Sequence, residues 1–154
     1  MVYLLYPYHK NFNKRLIKAP KLYFYDTGLA CSSLGLQLPE QLFGHYARGN
    51  LFENFVVAEL LKNFYNAGQR PRMYFWRDHT GNEVDIVFER GVDLCVIEAK
   101  VSATPSLSDF KQLQNFQEFA ETKTENQYVV FGGNENQAWG DKQFVSWQSL
   151  DGLK

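Results

Sequence analysis

Asp85, Glu98 and Lys100 have the side-chain types and the spacing needed to hold a divalent cation beside a phosphate group. In Glu83-Val84-Asp85-Ile86-Val87-Phe88-Glu89, a period of two puts Val84, Ile86 and Phe88 on one face of a strand and Glu83 and Asp85 on the other. In Leu94 to Val101, Cys95, Ile97, Ala99 and Val101 share a face, and Glu98 and Lys100 share the opposite one. A turn centred on Gly91-Val92 sets residues whose numbers sum to 183 across from each other, so that Asp85 faces Glu98 and Glu83 faces Lys100. An odd-length loop would shift that register by one residue.

Two carboxylates opposed on an antiparallel pair repel unless a cation neutralises them. Mg2+ or Mn2+ suits such a pair, because magnesium favours one or two carboxylates together with water and phosphate oxygens. An ion so placed can polarise a phosphoryl oxygen and lower the pKa of a bound water. Lys100, on the same face as Glu98, is positioned to orient that water or to stabilise charge developing on the phosphate. Glu83 has a simpler alternative, a cross-strand salt bridge to Lys100.

The elements that must hold these residues are legible in the hydrophobic pattern. Tyr3 to Tyr6 and Leu22 to Tyr25 read as the arms of a hairpin around a basic turn, and Asp26-Thr27-Gly28 opens a short apolar helix. Residues 50–65 repeat Phe52, Phe55, Val56, Leu60 and Phe64 at helical spacing. Strands are predicted at Met73 to Arg77, Glu83 to Glu89 and Leu94 to Val101, separated by glycine-containing turns. A second helix follows from about Ser106 to Phe119, then a strand at Tyr128 to Phe131, a break at Gly132-Gly133, and a last strand at Phe144 to Trp147. This order predicts an α/β fold with a mixed central sheet and a helix on each side.

Bulk properties exclude several classes. Of 154 residues, 45% are hydrophobic and 21% charged, a globular balance rather than a disordered one. No apolar run is long enough for a membrane span, and the N-terminus has no signal-peptide layout, so a cytoplasmic protein with no membrane partner is expected. Cys31 and Cys95 have no metal-ligand spacing, and Cys95 reads as a core thiol. Residues 1–25 carry Lys10, Lys14, Arg15, Lys18 and Lys21 and no acid, which leaves the remainder at −6 against an overall charge of −1. A basic arm on an acidic body points to an anionic partner at one end.

Asp85, followed after twelve residues by Glu98-Ala99-Lys100, resembles the signature of the PD-(D/E)xK, or restriction-endonuclease-like, nuclease superfamily. The predicted element order is similar to that superfamily's αβββαβ core. The resemblance implies a metal held by Asp85 and Glu98, with Lys100 acting on the water. It also implies an assisting acid at Glu53 on the preceding helix. Glu53 equally suits a capping-box role with Asn50. The departure is Val84, which stands where the signature has proline.

A closer likeness covers nearly the whole chain. Leu22 to Leu29, Gly49 to Asn54, and Arg77 with Gly81 to Asp85 are similar to a C-terminal region of bacterial and archaeal AAA-type ATPases. That resemblance implies a P-loop ATPase module ahead of this region in a longer protein. No phosphate-binding loop of that type occurs in the sequence, so ATPase activity is not expected of it. It also implies that the first residues are the remnant of a winged-helix wing.

The expected organisation is a hairpin-and-helix appendage over residues 1–47 and a nuclease-like domain over residues 48–154. The expected function is Mg2+-dependent hydrolysis of a phosphodiester in nucleic acid, DNA ahead of RNA. Glu53, Asp85, Glu98 and Lys100 would be catalytic, and Lys10, Lys14, Arg15, Lys18, Arg77 and Gln112 would contact nucleic acid. The alternative is a non-catalytic module that binds nucleic acid or a protein partner under control of the linked ATPase.

Overall fold

A computed structural model describes residues 1–9, 19–121 and 125–153. Strands β1 (Val2–Pro7) and β2 (Lys21–Phe24) pair antiparallel, with Tyr3 opposite Tyr23. Asp26 then caps helix α1 (Thr27–Ser33), its carboxylate accepting from the Leu29 N–H at 3.1 Å. Helix α2 spans Arg48–Asn66. Strands β3 (Met73–Arg77), β4 (Glu83–Arg90) and β5 (Asp93–Lys100) follow. A 3-10 turn at Leu107–Phe110, capped by Ser106, leads into helix α3 (Lys111–Ala120). Strands β6 (Gln127–Phe131), β7 (Gln137–Trp139) and β8 (Lys142–Ser146) complete the sheet.

These eight strands form one mixed sheet in the order β2-β1-β3-β4-β5-β6-β8-β7. The pairings β1–β3, β5–β6 and β6–β8 are parallel, and the others antiparallel. The α/β architecture with a mixed sheet is therefore as the hydrophobic pattern predicts. That pattern does not predict the short strand β7, which is three exposed residues with no period to read.

Each face of the sheet carries one helix, for a hydrophobic reason. On α2, Val56, Val57, Leu60, Leu61 and Phe64 pack against Ile86, Phe88, Cys95 and Ile97. On α3, Leu113, Phe116 and Ala120, together with Phe110, pack against Val87, Val96, Val129 and Phe144. Burying each large side chain contributes roughly 1.5–3 kcal/mol, so these two stripes are what hold both helices to the sheet.

Two irregularities shape what lies between the helices. The β3–β4 pairing runs Met73↔Phe88 and Tyr74↔Val87, then shifts to Trp76↔Val84 and Arg77↔Glu83. Asp85 and Ile86 therefore oppose the single residue Phe75, a β-bulge centred on Asp85. The bulge corrects the strict alternation expected for β4. Val84 packs with Val87 on the α3 side, whereas Ile86 and Phe88 pack on the α2 side. The β4–β5 ladder has the expected register, Arg90↔Asp93 through Ile86↔Ile97, and ends there. Past that point β4 continues with β3 and β5 continues with β6, to Lys100↔Phe131. The two strands thus part where Asp85 and Glu98 stand.

No described helix is long and apolar enough to cross a membrane.

Candidate functional site

The notch between β4 and β5 is filled by polar groups. Asp85 is buried, and its Oδ2 accepts the Ala99 N–H at 2.9 Å. An unbroken antiparallel ladder would send that N–H to a main-chain carbonyl of β4. Here the carboxylate takes it, which satisfies the donor and fixes the rotamer of Asp85. Glu98 is 5% exposed, and its Oε1 accepts from Lys100 Nζ at 2.6 Å. Its Oε2 is buried with no hydrogen-bond partner among the described residues. A buried carboxylate oxygen without a partner is costly, so a cation or ordered water is the natural complement.

Two further elements converge on the notch. Glu53 projects from the second turn of α2, and its Oε1 accepts from Lys21 Nζ at 2.8 Å and from the Tyr23 hydroxyl. Lys21 also forms an ion pair with Glu83, and its Nζ lies 3.9 Å from Asp85 Oδ1. Glu53, Glu83 and Asp85 each offer a carboxylate oxygen within 4.8 Å of the other two. Arg77 closes the outer side through an ion pair with Glu83.

Why β2 reaches this point is a matter of one buried side chain. Asn54 on α2 accepts from the Phe24 N–H at 2.7 Å and donates to the Phe24 carbonyl at 3.0 Å and to Thr27 Oγ1 at 2.9 Å. The amide acts as a surrogate strand partner at the end of β2. Period two in Lys21-Leu22-Tyr23 then turns Lys21 and Tyr23 toward Glu53 and leaves Leu22 outward and exposed.

The electrostatics follow from this crowding. Burial raises the pKa of Asp85 well above the ordinary carboxylate range, and the neighbouring Glu98 and Glu53 add to the rise; the Ala99 N–H and Lys21 offset part of it. Burial likewise raises Glu98, partly countered by Lys100 and reinforced by Glu53 and Glu83. Burial alone would lower Lys21 and Lys100, but the adjacent carboxylates, Glu53 first for Lys21 and Glu98 for Lys100, hold both above the usual lysine value. The site is a set of like charges held together by fixed ammonium groups.

The predicted residues are distributed as follows. Asp85 and Glu53 come together with Glu83 in one carboxylate group, whereas Glu98, paired with Lys100, stands outside that group and acts on Asp85 through its charge. Glu53 is engaged by Lys21 and Tyr23 rather than in a capping box, and α2 opens without a side-chain cap. Glu83 pairs with Lys21 and Arg77, not with Lys100, because the ladder that would align Glu83 with Lys100 has ended. Arg77 is exposed and borders two grooves, of about 640 and 580 Å3, one on each side of its strand. Gln112 is half-buried on α3, and its Oε1 has no hydrogen-bond partner among the described residues. Lys10, Lys14, Arg15 and Lys18 lie outside the described residues.

Sequence reasoning alone does not single out Lys21, Tyr23 and Asn54 as site residues. Their signal is present but divided: Lys21 reads as part of a basic segment, Tyr23 as a hairpin apolar residue, and Asn54 as a polar position beside a helix stripe.

The family described as Domain of unknown function (DUF4143) matches residues 48–150. The chain belongs to the DUF4143 family. Its DUF4143 segment supplies Glu53, Glu83, Asp85, Glu98 and Lys100. Residues 1–40, which supply Lys21 and Tyr23, match a second family, Domain of unknown function (DUF8612). The site is thus assembled from segments that match two different families. Among curated proteins, the uncharacterized proteins Rv2008c of Mycobacterium tuberculosis and Mb2031c of Mycobacterium bovis are each 32% identical over 104 residues. Those residues are 68% of this chain, and the match spans 23% of each relative's length. No solved structure matches the chain.

Proposed function

We propose that this DUF4143 protein is a divalent-metal-dependent phosphodiesterase acting on nucleic acid, DNA ahead of RNA. The observation that carries the proposal is the buried, partnerless Oε2 of Glu98 beside a buried Asp85 whose charge is opposed by its neighbours. The donor set is all oxygen, which suits Mg2+ or Mn2+. Asp85 and Glu98 would hold the ion, with Glu53 assisting. When bound, it would supply Lewis-acid polarisation of a phosphoryl oxygen and a more acidic water.

The chain's own residues do the rest. Lys100, fixed by Glu98, presents a cation where negative charge accumulates during attack on phosphorus. The Ala99 N–H holds Asp85 in one orientation. The order helix, three strands, helix, strand from α2 to β6 agrees with a restriction-endonuclease-like core, and that fold assignment is part of the same proposal. So is the setting, the C-terminal domain of an AAA-type ATPase, which rests on the sequence resemblance.

The test is calorimetric titration with Mn2+ of the wild type, Asp85→Asn and Lys100→Ala, followed by incubation with labelled DNA. Saturable binding that is lost in Asp85→Asn and kept in Lys100→Ala, with cleavage lost in both variants, is the expected result. Identical titrations of wild type and Asp85→Asn at millimolar metal would overturn it. That outcome would favour the second reading, a binding module without catalysis. Its supporting observation is that Lys21 already neutralises much of the carboxylate cluster.

A further inference from the structure

Lys21 stands where a metal bound by the acidic cluster would stand. Its Nζ is 2.8 Å from Glu53 Oε1, ion-paired with Glu83 and 3.9 Å from Asp85 Oδ1. Those same three carboxylates have oxygens within 4.8 Å of one another. Glu98 points to a cation independently. It is 5% exposed, carries the partnerless oxygen, and shares its electrostatic field with Asp85, Glu53 and Glu83.

A divalent ion on these oxygens, at ligand distances near ~2.1 Å, would sit within about 5 Å of the ammonium if Lys21 kept its place. Lys21 takes Glu53 Oε1 directly and fills the space among these oxygens, so a metal there competes with it for the same ligands, whereas Lys100 holds Glu98 Oε1 and leaves Oε2 open. Glu53 would also have to exchange Lys21 for the metal.

We infer that Lys21 is a tethered counter-cation of the Glu53–Glu83–Asp85 cluster, and that a divalent metal binds there only by displacing it. The inference rests on the metal-dependent reading above, with Asp85 as the shared ligand and Glu83 joining Glu53 beside it, and adds a regulator to it: seating of the β1–β2 hairpin sets the affinity of the site for metal. Three features make displacement feasible. Strand β2 is the edge of the sheet, it is four residues long, and the groove of about 640 Å3 beside Lys21 has room for its side chain. The hairpin also lies outside the segment that matches DUF4143, so a partner acting on residues 1–40 would reach the metal site through Lys21.

Mn2+ binding is measured by calorimetry for wild type, Lys21→Met, Lys21→Gln and Asp85→Asn. Removing the ammonium raises Mn2+ affinity by roughly ten- to a hundredfold, the size of a like-charge effect at this range. On the wild-type protein, acylation of Lys21 by an amine reagent, followed by peptide mass, is slow without metal and speeds up at saturating Mn2+. If both Lys21 variants bind no more tightly than wild type while Asp85→Asn loses binding, the counter-cation is wrong and the metal site stands. An acylation rate at Lys21 that is indifferent to Mn2+ overturns the inference even if the variants fail to fold. Absence of saturable binding in wild type and in both Lys21 variants removes the metal-dependent reading itself, and this one with it.

Discussion

Asp85 Oδ2 accepts the main-chain N–H of Ala99 at 2.9 Å, a side chain standing in for a strand at the point where β4 and β5 separate. The bond ties the bulge on one strand to the carboxylate-bearing end of the other. It also keeps a charged group where burial and two like neighbours disfavour its charge. Such a site is held against its own electrostatics, which is the usual condition of functional carboxylates.

Asp85→Asn is therefore expected to stabilise the metal-free protein at neutral pH. The amide oxygen still accepts from Ala99. Because the folded-state pKa of Asp85 is raised, the folded protein holds more protons than the unfolded chain between the ordinary value of ~3.9 and the raised one. Wild-type stability falls as pH rises through that window. Urea denaturation at pH 7 and at pH 4 should show the variant's advantage at the first and its loss at the second.

Asn54→Ala removes three hydrogen bonds that join Phe24 and Thr27 to α2. The expected cost is about 1–3 kcal/mol, since the part-buried backbone groups of Phe24 lose their partner. The same variant should loosen Lys21, so that its acylation in metal-free protein approaches the rate of an exposed lysine. Chemical denaturation reads the first effect and peptide mass the second.

Gly132→Ala places a methyl group 2.4 Å from the Val101 carbonyl, directly after the Lys100 strand end. Gly132 also donates to the Lys100 and Ser102 carbonyls at 3.1 and 2.9 Å, so the backbone has little freedom to retreat. A loss of more than about 2 kcal/mol is expected on denaturation, in the range of a core steric conflict. Any Mn2+ affinity that depends on Glu98 should weaken in parallel.

Cys95 is buried, and that burial pushes its thiol pKa up to about 12. Cys31 is half-buried at the surface of α1. A thiol reagent at pH 8 should therefore titrate one cysteine in the folded protein and two in denaturant. Two fast thiols in the folded state would mean that the α2 face of the sheet opens readily.

The amino-acid sequence by itself determined the repeating elements and the motif. Helical spacing from Phe52 to Phe64, alternation through Leu94 to Val101 and the glycines at turns specify α2 and β5, because those signals are local and periodic, while the structure selects the Ile86↔Ile97 register from the two that the Gly91-Val92 turn allows. The grouping of Asp85, Glu98 and Lys100 followed from the same period. Only the tertiary structure decided which face Val84 joins, because a bulge depends on the neighbouring strand β3. Only it decided that Glu83 turns to Lys21 and Arg77, and that Lys21, Tyr23 and Glu53 meet across some thirty residues. Long-range pairing of polar side chains leaves no period in a sequence. It arises when separate hydrophobic surfaces pack, and here the packing of β2 and α2 carried an ammonium into a cluster of carboxylates.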